Sequence, residues 1–433
     1  MSKQFLCGAA RADITPAVGT CLFGYVPDWH SESVHDGLNA TAAAFSDGEK
    51  TVLLITVTVC EFQNALADEL RALAANAASV PVDNIILSAT HTHSAPNCAG
   101  QEGWGDVDRA YTESVLKPAV TRIAGEAVRA MRPAVLGAAT TESHVGINRR
   151  EMDRDGHVIL GQDPNGTYDP TMTVISIRGD DGKGILNLIH YGCHGTSAGR
   201  NREITRDWSG IMCDRLETET ETLTAYWQGA EGDVGPRLTN GRTTGDIRHT
   251  EELGGLATFD AMRAYKAIRR YDKVGVGLFV GDIALPYREL PTVETCTEKM
   301  ASFPDPESLV NLDALIYAYY RNVKAALLSG DTGEDALKLR TNIITLGNIA
   351  FVPFPFEMFS TITLRLSALS PFAHTLSLSC SNGSYAYLPS MDQLIRGGYE
   401  VRCFLYQSVR TLADDTEQTL IDGCLGLMNG ERL

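Results

Sequence analysis

No two of the ten cysteines in this 433-residue chain stand as a CxxC pair or at zinc-finger spacing, which excludes a thioredoxin-like redox motif and a finger-type zinc fold. The chain also lacks a basic opening followed by a long apolar stretch: Met1-Ser-Lys-Gln-Phe-Leu-Cys-Gly8 carries no mark of a secretory signal. Scattered thiols without such a leader predict a reducing, cytoplasmic setting. Apolar runs long enough for a bilayer are missing too. The longest, residues 51–62 and 274–286, fall well short of the ~20 residues a spanning helix needs. Positive charge is scarce, with 37 Lys and Arg against 54 Asp and Glu. The resulting net charge of −17 argues against nucleic acid as a partner and against stable association with an anionic membrane. No repeat, low-complexity tract or Pro/Ser-rich linker interrupts the chain, so 1–433 reads as one domain.

What is present is ordinary core material, 44% apolar. Strand patterns fall at 51–62, 84–90, 133–143, 224–228 and, as a hairpin around Gly179-Asp-Asp-Gly182, at 171–178 and 184–191. Two more, 341–346 and 349–353, flank a Gly-Asn turn. Helical periodicity covers 64–79, 107–131, 251–270 and 307–328, and another helix is expected from Glu357 onward. The class is α/β, with central mixed β-sheets flanked by helices. The irregular order of strand and helix disfavours an eight-fold barrel.

Only ten histidines are present, yet two stand one residue apart in Ser88-Ala-Thr-His-Thr-His-Ser-Ala-Pro96. In a strand, residues i and i+2 share a face, so His91 and His93 would aim at one point where the strand gives way to a loop. Metal sites and acid–base sites share that geometry; hydrogen-bonded structural histidines would share it too. A second apolar run ends in His190-Tyr-Gly-Cys-His194-Gly-Thr-Ser197. His194 lies in its glycine-rich loop, whereas His190 sits earlier and reads as a core residue. Cys193 and Cys98 lie beside histidines, and burial as small hydrophobes is the better reading for both. Glu357 closes the apolar stretch Phe351-Val-Pro-Phe-Pro-Phe-Glu357, either as a helix N-terminal carboxylate or as a metal ligand in a dry setting. Tyr387 and Tyr399 lie in Gly/Ser-rich segments, where phenols pack with wet hydroxyls or donate to a developing oxyanion. Asp207 and Asp233 read as hydrogen-bond anchors.

Eight segments in order resemble the blocks of the neutral ceramidase catalytic domain, a family of zinc-dependent amidases that hydrolyse N-acyl sphingosines. They are Arg11-Ala-Asp-Ile-Thr-Pro16, Val34-His-Asp-Gly-Leu38, Ala89-Thr-His-Thr-His-Ser94, Gly146-Ile-Asn-Arg-Arg150, His194-Gly-Thr-Ser197, Gly232-Asp-Val-Gly-Pro236, Pro355-Phe-Glu357 and the stretch from Tyr387 to Tyr399. The resemblance implies one catalytic zinc ion and no organic cofactor, with His91, His194, Glu357 and Tyr387 as ligands. It also places His93, Arg149 and Tyr399 in the pocket, with Tyr387 doubling as an oxyanion donor. Where ceramidases carry a serine in the loop that Gly232-Asp-Val-Gly-Pro236 resembles, this chain has Gly235. The implied activity is therefore cleavage of a carboxamide by zinc-activated water. The long ceramidases' secretion signal and C-terminal β-domain are not matched, which points to a soluble small-molecule substrate rather than membrane ceramide. Two other readings compete: a zinc esterase or deacetylase for a small polar or sugar-like substrate, and a non-catalytic metal- or ligand-binding relative. The amidohydrolase barrel also opens with HxH, but its further His–His–Asp series is not found.

Overall fold

Two sheets packed face to face position everything that follows. The computed structural model describes residues 4–407 and 410–431. The larger sheet has eight strands, in the order Thr224–Gln228, Gly184–Tyr191, Thr171–Gly179, Arg132–Glu142, Leu6–Asp13, Asn39–Ser46, Thr51–Val57, Ile85–Ala89. Its outermost pair at each edge is parallel and the strands between are antiparallel. A four-stranded sheet, ordered Val276–Pro286, Ala336–Leu346, Ile349–Pro353, His374–Leu378, lies against one face. There Leu54, Ile86, Ile177 and Trp227 meet Ile344, Phe351 and Leu378.

Helices seal the outer faces. Leu66 and Leu70 of Asn64–Ala78 and Val120 and Ile123 of Lys117–Arg129 pack on Leu53, Ile55, Ile85 and Leu87. Asp207–Thr220 and Ile247–Ala267 cover the other half of the large sheet, and Ser360–Leu369 with Thr416–Met428 cover the small one. Strands buried on both faces need no polar side, so Thr51–Val57 and Ile85–Ala89 are mostly apolar and buried at successive positions rather than at alternating ones. The mixed α/β class expected from the sequence is the class observed.

The large sheet curls until its two edges approach. Thr56 donates its hydroxyl across the curl to the Tyr226 carbonyl (2.8 Å), and the Arg11 guanidinium reaches the Thr224 carbonyl (2.5 Å). Residues 379–382, leaving the small sheet, fill the remaining gap. Ser379 N–H donates to Gln228 O (3.1 Å) on one edge; Ala89 N–H donates to Cys380 O (3.0 Å) and Asn382 N–H to Leu87 O (2.7 Å) on the other. The curl brings together two loops that an open sheet would hold at opposite ends.

Several expectations need correction. The strand expected over 51–62 stops at Val57. The helix expected over 107–131 is broken by a π turn at Thr112–Leu116. Pro118 has no N–H to return to the Ser114 carbonyl, and the wider turn absorbs the missing bond. The helix expected from 307 starts at Asn311. The helix expected at Glu357 starts only at Ser360, because Glu357–Met358 pairs in parallel with Tyr387–Leu388. Glu357 is therefore no helix N-terminal carboxylate. That role falls to Asp233, whose Oδ1 accepts from both the N–H and the hydroxyl of Ser360 (2.8 Å each).

Candidate metal centre

Three strand ends deliver the centre. Ile85–Ala89 ends two residues before His91, so a shared strand face does not unite His91 and His93. His91 instead adopts a left-handed backbone (φ 64°), which turns its ring inward and brings the two imidazole centroids to 5.0 Å. A non-glycine residue pays for that conformation with strain, a feature that concentrates at functional sites. From the far side of the sheet, Gly184–Tyr191, next to the edge strand, runs into His194. A parallel bridge, Thr92 to Gly195, locks the two loops together. A Cβ at Gly195 would lie 2.6 Å from the His91 carbonyl, so only glycine permits this approach. Asp207 anchors the second loop, accepting from Ser197 Oγ (2.5 Å), Ser197 N (3.2 Å) and Ala198 N (2.9 Å). The third contribution comes from the small sheet: Glu357 with its register partner Tyr387, whose neighbour Ala386 accepts the Glu357 N–H (2.9 Å).

Glu357 Oε2 stands 3.3 Å from His91 Nε2 and 3.1 Å from His194 Nε2, and His93 Nε2 lies 3.3 Å from His91 Nε2. One ligating atom each from His91, His194 and Glu357 falls within a 4.8 Å span, and all three residues are buried. The His91 and His194 rings are each oriented from behind. His91 Nδ1–H points at the Cys60 carbonyl (3.0 Å), and His194 Nδ1–H at that of Glu231 (2.7 Å). Both Nε2 lone pairs therefore face Glu357, the arrangement in which backbone carbonyls commonly hold metal-ligating histidines. His194 Nε2 and Glu357 Oε2 are buried without a well-formed hydrogen bond. Buried polar atoms are seldom left so, and a divalent cation would satisfy both.

Charge follows the same geometry. Burial, then the Arg149 and His91 charges, pull His194 down to about 3. Burial and the neighbouring His91 and His194 hold His93 well below the ordinary imidazole value. Both are thus neutral and able to offer lone pairs. Burial works against a charge on His91, yet Cys60, Cys380 and Glu357 outweigh it and draw a proton there. Glu357 stays ionised well below the usual carboxylate range: burial opposes this and the two imidazoles override it. The cluster is a place built for positive charge, and a metal competes for it by displacing that proton. Its histidine and carboxylate donors suit zinc.

The remaining residues singled out from sequence gather around this point. Arg149 Nη2 donates to the Tyr387 hydroxyl (3.0 Å) and Nε to Glu400 Oε1 (2.8 Å). The Tyr387 and Tyr399 rings are 5.8 Å apart. His190 is a core residue, bonded to the Ser377 carbonyl (2.9 Å), and Cys193 and Cys98 are buried thiols. At Gly235, a Cβ would come within 2.5 Å of Thr243 Cγ2; Thr243 fills the space a serine there would need.

Sequence reasoning missed five residues beside the centre. Glu400 binds Arg149 and also Arg150 (2.6 Å); two adjacent buried arginines were the available signal that a carboxylate must face them. The Tyr25 ring lies 5.1 Å from that of His93. Cys60 and Cys380 place their thiols 3.6 and 3.4 Å from His91 Nδ1. Glu231, pushed up to about 7 chiefly by burial, accepts from Cys380 (3.2 Å). No motif in the sequence distinguishes these last three from packed core.

Comparison with known proteins places the chain in a family. The family model described as neutral/alkaline non-lysosomal ceramidase, N-terminal, matches residues 5–251. That span contains His91, His93, Arg149 and His194, while Glu357, Tyr387 and Tyr399 lie beyond it. The crystal structure of a neutral ceramidase from Pseudomonas aeruginosa superposes with a TM-score of 0.75 at 16% identity, covering 100% of this chain and 76% of that one. A ceramidase complexed with C2 gives 0.71 at 18% identity with the same coverage. At such identities the likeness is one of fold. No curated protein matches the chain in sequence.

Proposed function

The chain belongs to the neutral/alkaline non-lysosomal ceramidase family of amide-bond hydrolases, and on that premise we propose that it is a zinc-dependent hydrolase cleaving the N-acyl bond of a small soluble molecule. The observation that carries this reading is the convergence of His91, His194 and Glu357, with two of their ligating atoms otherwise unsatisfied. Residues from both sheets meet there, so we treat 1–433 as one catalytic domain. No described helix is long and apolar enough to cross a membrane. All ten cysteines are free and nine are buried, which supports a reducing, cytoplasmic location.

His91, His194 and Glu357 would hold the ion, with Tyr387 beside Glu357 as a further ligand. When bound, zinc supplies Lewis-acid polarisation of the scissile carbonyl and a lowered pKa for water. The rest falls to this chain's own groups. With no serine at 235, water is the nucleophile. Neutral His93, whose Nε2 lies 3.3 Å from His91 Nε2 on the side of the centre, takes a proton from that water and passes it to the departing amine nitrogen. Arg149 and the Tyr387 hydroxyl donate to the oxygen that gains charge as the carbonyl becomes tetrahedral, and Tyr399 stands as a second phenolic donor. Glu400 fixes Arg149 so that no reorganisation is needed at that moment.

The test is a panel of short N-acyl amides and matching esters, run on metal-free protein to which zinc is restored. Stoichiometric zinc uptake with turnover of amides is the expected result. Turnover confined to esters would replace the amidase reading with the esterase one, and zinc uptake without any turnover would leave a metal-binding relative.

His93 owes its placement to Gly24. That residue has φ 119°, and a Cβ on it would stand 2.3 Å from His93 Nδ1. Gly24→Ala should therefore push the ring aside and lower kcat by about a hundredfold, the usual scale for an ångström of misplacement. Zinc content should not change; parallel metal analysis and kinetics check both halves.

A further inference from the structure

Beside the metal centre lies a cavity of about 340 Å³ whose wall is unusual for a family named after a lipid amide. Glu61, Gln63, Asn64, Gln101, Glu102 and Gln407 contribute two carboxylates and four amides, and no lysine, arginine or histidine lines it among the described residues. Glu61 is buried. The Ser384 hydroxyl donates to its Oε2, and Asn64 Oδ1 steadies Ser384 by accepting its N–H (2.8 Å). Glu61 Oε1 has no hydrogen-bond partner among the described residues, and the carboxylate lines the cavity. That oxygen opens on the cavity, where it can accept a ligand's N–H or O–H.

Three connections tie this cavity to the reaction centre. Glu61 follows Cys60, whose carbonyl orients His91. Ala386, in the cavity wall, precedes Tyr387 and bonds Glu357. Ala99 and Leu315, also in the wall, pack in the cluster that touches Tyr399. A molecule seated here with its acyl bond at the metal centre would lay its non-acyl portion along Glu61. Hydrocarbon would leave the carboxylate and amides desolvated without partners, which is costly; an anion would meet two carboxylates. Glu102 is partly offset by Arg321 at 3.6 Å, whereas Glu61 makes no close ion pair among the described residues.

We infer that this cavity is the subsite for the amine half of the substrate, and that Glu61 selects amines carrying a second, cationic nitrogen a short way from the scissile bond. The inference rests on the hydrolase reading above. It names a substrate class, N-acyl diamines, in place of the long-chain amino alcohol of a lipid amide. Glu61 acts in recognition and touches none of the reacting atoms.

Four acetamides on one two-carbon scaffold test it: N-acetylethylenediamine (cation), N-acetylethanolamine (hydroxyl), N-ethylacetamide (apolar) and N-acetylglycine (anion). Wild type should rank them in that order by kcat/KM. Glu61→Gln should cost the cationic member roughly ten- to hundredfold, the scale of one charged hydrogen bond. The loss should fall in KM, with N-ethylacetamide and zinc content unchanged. An unchanged ranking in the variant, or a wild-type preference for the anion or the apolar member, would overturn the inference while leaving the hydrolase intact. Calorimetric titration with ethylenediamine separates the two ideas. Binding to wild type but not to Glu61→Gln, without turnover of any acetamide, would remove the hydrolase and keep the subsite. Neither binding nor turnover would remove both.

Discussion

His194→Ala protein is expected to retain no more zinc than a chelator-treated control and to lose amide hydrolysis by about a thousandfold or more. The ring is fully buried and held by the Glu231 carbonyl, with its Nε2 3.1 Å from Glu357. Alanine leaves a void at that point and removes one of the two imidazole ligands, leaving His91, Glu357 and the weaker phenol of Tyr387, too poor a set to hold a divalent ion tightly. Lewis-acid catalysis is worth several kcal/mol, and each 1.4 kcal/mol is about tenfold in rate, which sets the size of the loss. The exposed His144, hydrogen-bonded to the Tyr168 hydroxyl, supplies the control: His144→Ala should match wild type in both readouts. Undiminished zinc and turnover in His194→Ala would refute the assignment of the centre.

The second large effect is on stability. Glu400 is fully buried between two arginines, 2.8 Å from Arg149 Nε and 2.6 Å from Arg150 Nη1. Its carboxylate, with Tyr387 and Glu357, keeps the Arg149 guanidinium charged against the opposing pull of burial. Glu400→Gln keeps the shape and removes the charge, leaving two guanidinium groups in a dry interior. Breaking a buried ion pair on one side typically costs about 3–5 kcal/mol. Urea denaturation should show a loss of that size, and turnover should fall as well, because Arg149 loses its fixed position. A loss below about 1 kcal/mol would mean that water or another acceptor already serves these arginines.

Much of the site was legible because its chemistry is written in rare residue types at loop positions. His91, His93 and His194 follow apolar strands, and Glu357 interrupts an otherwise apolar run; such placements stand out against a chain of few histidines. How they meet was not legible. The pleat argument for His91 and His93 fails because the backbone turns left-handed at His91, and no local pattern announces that at a non-glycine position. Glu357 was assigned to a helix because apolar periodicity cannot register a two-residue strand whose partner, Tyr387, is remote in sequence. Glu400, Cys60 and Cys380 look like core until two arginines or an imidazole are placed against them. The secondary elements were clear wherever burial on both faces made the pattern strong, as in Thr51–Val57. They blurred where a proline, Pro118, reshaped a helix from within.

The gap in the curled sheet has a consequence for how the molecule is made. Ile85–Ala89 and Thr224–Gln228 are both edge strands, and their free backbone groups are covered by residues 379–382. During synthesis those edges leave the ribosome long before the segment that covers them. Uncovered edges of this kind are templates for pairing between chains. A fragment ending near residue 251, although it spans the whole family match, would carry both edges bare and only two of the three converging donors. It should aggregate rather than fold.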